Sequence, residues 1–203
     1  MLFDKPLLFI TMQPFIDSSL IDEIIVVLTK QDSNKYHDDI KSLGLTKRVK
    51  VVSGGETRQQ SVYNGLIQAD DSSDLICIHD AVRPFVNETL IKKSLKVIND
   101  HDGVILALPS SDTIKKVFKN QIMETLPRET IWRAQTPQIF YKNPLLEALE
   151  FAKSKNIIGT DEASLLEKIG YQIGFVEGSP MNIKITTAED WVFAEAIYNY
   201  INK

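Results

Sequence analysis

The chain has 203 residues, 43% apolar and 25% charged, with a formal net charge of −4. That composition suits one globular domain and offers no global basic field to attract nucleic acid or an anionic membrane. Its one cysteine, Cys77, excludes an internal disulfide and a cysteine zinc cluster. No apolar stretch is long enough to span a bilayer, and the brief run after Lys5 breaks at Thr11 and Gln13, unlike a signal peptide. The absence of disulfides is compatible with a reducing, cytoplasmic setting.

In chain order, Pro6 to Phe15 carries apolar residues at helical spacing, with Pro6 suited to the first helical position. Ile24 to Leu28 reads as a buried strand, Ser33 to Leu43 as a polar helix with Gly44 just past its end, and Val49 to Val52 as a second strand. Gly54-Gly55 then leads to a helix from about Arg58 to Gln68, where Thr57 and Gln60 have capping-box spacing. The apolar run Leu75 to His79 reads as a strand buried on both faces. A helix from about Glu88 to Asn99 and a strand from Gly103 to Leu108 follow. This alternation predicts an α/β fold, a doubly wound and mostly parallel sheet with helices on both faces.

After Pro109 the pattern changes. Asp112 to Lys119, Gln121 to Leu126 and Ile131 to Ala134 read as short, partly polar strands forming a protruding β-arm, at about 111–135, that needs a partner for stability. Helices are expected after Asn143, read as a cap, and near Asp161. A strand follows at Gln172 to Val176. A last helix starts near Thr187, with Val192, Phe193, Ala196, Ile197 and Tyr200 as its core face. Residues 1–203 are read as a single domain.

The residues that can carry chemistry cluster at strand ends. Asp80 and Arg83 close the apolar run, and in open α/β sheets ligands sit beyond the carboxyl ends of strands. Asp80 can hold a metal ion and Arg83 can grip a phosphate; a plain strand-end salt bridge is the alternative. Gly54 and Gly55, with Arg58 and Ser61, form a glycine turn before a helix, which suits a nucleotide but is also a common turn. Thr113 in an Asp/Ser turn, Arg128 and Arg133 around Trp132, and Thr160 before the acidic helix start each admit a ligand-binding and a local structural reading. Lys184 points away from Ile183 and Ile185 on a period of two, either to solvent or into a cleft. His37, His79 and His101 share no metal spacing, His79 being read as structural, and neither a nucleophile elbow nor a dinucleotide fingerprint is present.

In this order, Gly54-Gly55-x-x-Arg58, His79-Asp80-Ala81-Val82-Arg83-Pro84, Asp112-Thr113, Arg133 to Gln138, Thr160 to Ser164, and Glu177-Gly178 with Asn182 to Thr186 resemble the 2-C-methyl-D-erythritol 4-phosphate cytidylyltransferases. The resemblance covers nearly the whole chain. It implies a nucleotidyltransferase fold and a step of non-mevalonate isoprenoid biosynthesis that joins CTP and a phosphorylated polyol. It further implies that Gly54, Gly55, Arg58 and Ser61 bind CTP, that Asp80 serves Mg²⁺, and that Lys184 and Arg83 act with Asp80 at the reacting phosphates. By the same resemblance Thr160 lies near the substrate, and Thr113 and Arg128 reach from the arm into a neighbouring subunit's site in a homodimer. Two alternatives stay open: a ribitol 5-phosphate cytidylyltransferase, and a non-catalytic nucleotide-binding or dimer-scaffold paralogue. The family's first strand and glycine-rich phosphate loop have no counterpart before Pro6, so Met1 is expected to be an internal methionine of a longer protein.

Overall fold

A computed structural model describes residues 5–42 and 48–202. Its elements are α1 (Leu7–Asp17), β1 (Glu23–Leu28), α2 (Lys30–Ser42), β2 (Arg48–Ser53), α3 (Arg58–Leu66), β3 (Leu75–Ile78), α4 (Glu88–Val97), β4 (Gly103–Pro109), β5 (Ile114–Phe118), β6 (Gln121–Leu126), β7 (Trp132–Tyr141), α5 (Lys142–Ser154), α6 (Glu162–Lys168), β8 (Ile173–Glu177) and α7 (Ala188–Ile201). Thr57 and Gln60 close the expected capping box on α3, and Thr187 and Asp190 close another on α7. Gly44, expected to stop α2, lies outside the described residues.

The sheet order is β3-β7-β4-β8; β3, β4 and β8 run one way and β7 runs against them. Period-two alternation along β7 sends neighbouring side chains to opposite faces. Ile139 joins Ile91, Ile98 and Leu106 beneath α4, while Phe140 joins Leu145, Leu149 and Leu166 beneath α5 and α6. Each such fully buried aliphatic side chain contributes about 1.5–3 kcal/mol.

A second, smaller unit stands beside this sheet. β1 and β2 pair in parallel and pack against α1 and α2 through Val26, Met12 and Ile40. Gly65 lets α3 settle on β1, since a Cβ there would lie 2.8 Å from Val27 Cγ2. β1 and β3 do not pair. Between them runs a cavity of about 970 Å³, walled by Ile24 to Val27 and Leu75 to Ile78, floored by Met12 and Phe15, and reaching Arg58, Ser61 and Asp80.

Several local expectations change. β3 is half-buried rather than enclosed on both faces, because one edge lines the cavity. The segment expected as a short arm strand at Ile131 to Ala134 is the start of the ten-residue β7, at the middle of the sheet. Pro137 is accommodated there because the register with β4 shifts between Ile105 and Leu106. The arm is therefore the hairpin β5–β6 followed by a short 3-10 turn at Arg128–Thr130. Pro6 is the N-cap of α1 rather than its first helical residue, and α5 is preceded by Tyr141, not capped by Asn143. On α7, Val192 and Phe193 are 68% and 62% exposed; of the expected face Ile197 does turn inward, joined by Trp191, Ala194 and Tyr198.

Candidate active site

Three cations from three parts of the chain converge on Asp80, just past the end of β3. Lys184 Nζ lies 3.1 Å and Arg83 Nε 3.3 Å from Oδ2, and Arg58 Nε lies 3.5 Å from Oδ1. Burial alone would raise the pKa of Asp80, but Lys184, Arg58 and Arg83 outweigh it and hold the carboxyl below its usual range. Arg58 also places Nη1 2.7 and 2.8 Å from the two carboxylate oxygens of Glu162. Burial works against the Arg58 charge, yet Glu162 and Asp80 together raise its pKa. Three cations against two carboxylates leave the cluster locally positive in a chain that is negative overall.

A hydrogen-bonded frame holds Asp80 and Arg83 in place. The Asp80 amide donates to Thr136 Oγ1 at 3.0 Å, Thr136 Oγ1 lies 2.9 Å from His79 Nδ1, and His79 Nε2 lies 2.8 Å from the Arg83 carbonyl. A carbonyl accepts and never donates, so Nε2 carries the proton, Nδ1 accepts, and the Thr136 hydroxyl donates. Burial lowers the His79 pKa to about 4, which keeps this tautomer neutral near pH 7. The ring is structural, as its place in the sequence suggested.

Lys184 is aimed by β7. Buried Gln135 donates from Nε2 to the carbonyls of Ser179 and Asn182, at 3.0 and 3.1 Å. Asn182 donates from Nδ2 to the Thr136 carbonyl, and Arg83 Nη1 donates to the Asn182 carbonyl, both at 2.8 Å. The Ile185 amide donates to Val82. Ile185 turns into the core and Lys184, 42% exposed, lies on the opposite side as the period of two required, where it meets Asp80.

The glycine turn flanks the cluster. The Gly54 amide donates to Leu28, and the Gly55 amide donates to Ser61 Oγ at 3.1 Å. A Cβ at Gly54 would lie 2.8 Å from Ser61 Oγ, so glycine is needed for this approach. Opposite, Asp161 caps α6 by accepting from the Ser164 amide and also accepts from Gln138 Nε2 of β7. Thr160 is exposed immediately before that cap.

Of the residues singled out from the sequence, Asp80, Arg83, Arg58 and Lys184 are thus brought together, with Gly54, Gly55 and Ser61 at their side. Thr113 and Arg128 are exposed on the arm and make no contact with that cluster; Arg128 Nη1 instead donates to the Ser111 carbonyl at 3.3 Å. Arg133 lies on β7 rather than on the arm. Sequence reasoning missed the work of Thr136, Gln135, Asn182 and Glu162. A run of polar residues beside Pro137, too apolar at its end for a loop, was the available signal for the first two.

A mostly parallel α/β sheet with cations, glycine-turn amides and a carboxylate gathered at its strand ends is a nucleotidyltransferase-type domain. The family described as "IspD: 2-C-methyl-D-erythritol 4-phosphate cytidylyltransferase" matches residues 1–200, and the chain belongs to it. It is 40% identical over 196 residues to the 2-C-methyl-D-erythritol 4-phosphate cytidylyltransferase of Clostridioides difficile, covering 97% of this chain and 83% of that protein. Against the protein of the same name from Geotalea uraniireducens it is 41% identical over 201 residues, covering 98% and 86%. The crystal structure of 4-diphosphocytidyl-2C-methyl-D-erythritol synthase from Anaerococcus prevotii superposes with a TM-score of 0.90 at 32% identity, covering 100% of this chain and 88% of that one.

Proposed function

We propose that this chain transfers CMP from CTP to 2-C-methyl-D-erythritol 4-phosphate, forming the CDP-alcohol and pyrophosphate in isoprenoid precursor biosynthesis. Family membership over almost the full chain supports the reaction, and the convergence of Lys184, Arg83 and Arg58 on Asp80 is the observation that supports its location. A phosphate oxygen of the polyol attacks the α-phosphorus of CTP in line; the new P–O bond forms as the bond to pyrophosphate breaks. Such a step needs positioning and charge neutralisation more than acid-base chemistry.

Gly54, Gly55, Arg58 and Ser61 serve CTP, the glycines allowing its close approach to the backbone and Arg58 supplying a cation beside it. Lys184 and Arg83 neutralise charge gathering at phosphorus, Thr160 lies on the polyol side, and Thr113 and Arg128 complete the site of a second copy in a homodimer. The apolar Val117, Phe118, Ile122 and Met123 exposed on the arm support that dimer contact. We read 1–203 as one domain whose dimerisation arm is the hairpin β5–β6 with the turn at Arg128–Thr130. No helix among the described residues is long and apolar enough to cross a membrane, and we place the reaction in the cytoplasm.

Asp80 fits Mg²⁺. Among the described residues no group of three or more His, Cys, Asp or Glu forms a cage, but Mg²⁺ ordinarily takes one or two carboxylates together with substrate phosphates. Lys184 and Arg83 share Oδ2, while Oδ1 has the looser contact with Arg58 and is the oxygen suited to the ion. When bound, Mg²⁺ would add charge neutralisation on the triphosphate.

The test is pyrophosphate release from CTP and Mg²⁺ with methylerythritol phosphate or ribitol 5-phosphate as acceptor. Turnover with the first and little with the second is expected. Preference for ribitol 5-phosphate would move the assignment to the pentitol enzyme, and absence of both turnover and CTP binding would leave a scaffold protein.

A further inference from the structure

We infer that Glu162 is a positioning residue: its buried carboxylate holds the Arg58 guanidinium beside Asp80 in the orientation that receives CTP. The inference rests on the nucleotidyltransferase reading and assigns it a residue outside the set that meets the reactants.

Arg58 opens α3, where the helix dipole disfavours a cation. Its long side chain would also lose considerable rotamer freedom if fixed. An external anchor is required, and Glu162 supplies it with both oxygens on Nη1. Glu162 is 1% exposed and Arg58 38% exposed, so the pair is buried at the carboxylate end and open at the arginine end.

A buried carboxylate is costly and persists where it has a task. Anchoring α6 is not that task, because other groups already do it. Asp161 caps the helix and is fastened to β7 by Gln138. Gln59 ties α3 to the preceding loop twice, accepting from the Gly159 amide at 3.0 Å and donating to the Ile157 carbonyl at 3.2 Å. What Glu162 alone adds is control of Arg58. Nη1 is committed to Glu162 and Nε rests 3.5 Å from Asp80, so the guanidinium is held at two points. Without Glu162, the guanidinium would collapse onto Asp80 and compete there with Lys184 and Arg83.

Glu162→Gln keeps the side chain's volume and one acceptor while removing the charge. By calorimetry with CTP and Mg²⁺, the variant is expected to bind CTP on the order of tenfold more weakly, the scale of loss when an orienting partner of a binding group is removed. Turnover at saturating CTP and the KM for the polyol phosphate should stay close to wild type. In an Arg58→Ala background the same change should add nothing. Arginine Nε–Hε NMR reads the geometry without nucleotide: the Arg58 resonance should move and exchange faster in Glu162→Gln. Should Glu162→Gln fail to fold, Glu162→Asp, which keeps the charge but withdraws it by one methylene, should show the same displaced resonance and an intermediate CTP affinity. An unmoved Arg58 resonance, or a loss of CTP affinity that adds fully to that of Arg58→Ala, overturns the proposal. If the resonance responds but wild-type protein binds no CTP, the positioning role stands and the nucleotide reading fails.

Discussion

The two halves of the molecule are built from similar strands and differ in how those strands are used. In β3-β7-β4-β8 the central strands are flanked on both sides and covered by helices above and below, and Ile139, Phe140 and Leu106 are almost wholly buried. In β1–β2 the strands have one partner each, and residues of equal apolarity, Ile24, Ile25 and Val27, line a cavity. Apolar strand sequence alone therefore does not secure burial; flanking partners do. It also locates function. Asp80, Arg83 and Lys184 are framed by the complete sheet, whereas the glycine turn and Arg58 hang between the halves, attached to β1 through Gly54 and to α6 through Glu162.

The largest expected effect tests whether the complete half carries the chemistry. Lys184→Ala should lower turnover about 10²- to 10³-fold, the range for removing one preorganised charge at a developing anion, while weakening CTP binding far less. Equal losses in turnover and binding would make Lys184 a simple ground-state contact. Unchanged turnover would remove it from the reaction and leave the cluster an ion-pair knot.

The next prediction sets one deletion against itself in both halves. Ile139→Ala should cost about 3–4 kcal/mol in urea unfolding, because the closed core cannot collapse onto the void. Ile25→Ala, on the half-buried cavity wall, should cost about 1 kcal/mol. Amide exchange should follow suit, faster in β1 than in β4 and β7. Equal costs would mean that the cavity closes in solution and the two halves are alike.

How much of this was legible beforehand follows the same division between local and distant causes. Both capping boxes and strand β6 were readable because short-range spacing decides them, whereas spacing set Lys184 opposite Ile183 and Ile185 without choosing between solvent and a cleft. β7 was not readable as a central strand, since Gln135, Thr136 and Gln138 read as polar and Pro137 reads as a breaker. Their burial depends on partners 23 to 57 residues away: Asp161, Ser179, Asn182 and His79. α7 is apolar on more than one face, so periodicity allowed the wrong stripe; packing against Phe85 and Ile185 chose Ala194 and Trp191. Glu162 looked like a helix-start acid because Arg58, which explains its burial, lies on another helix.

Acid should probe the border between the halves. His79 lines the cavity, yet burial holds its pKa near 4, against about 6.5 when unfolded. Below pH 6.5 the unfolded chain therefore binds the extra proton and stability falls, until near pH 4 both states are protonated. The loss should reach about 3 kcal/mol over that window. The lowered pKa of Asp80 adds to the loss at more acid pH, while the raised pKa of Glu162, due first to burial, acts in the opposite sense. His79→Asn should flatten the slope between pH 6.5 and 4. A wild-type profile that is already flat would mean that water filling the cavity reaches the ring.

The smallest effect is expected where α3 crosses from one half to the other. Gly65→Ala gains about 1 kcal/mol of helix propensity. The added methyl, however, would lie 2.8 Å from Val27 Cγ2, and valine has little rotamer freedom with which to yield. In a closed core such overpacking costs about 1–3 kcal/mol. Here the wall behind Val27 borders the cavity, so β1 can shift into open space and the cost should fall at the low end of that range, leaving a net change within about 1 kcal/mol. A loss of 2 kcal/mol or more in urea unfolding would mean that β1 is held as rigidly as β4, and the contrast between the halves would not extend from packing to compliance.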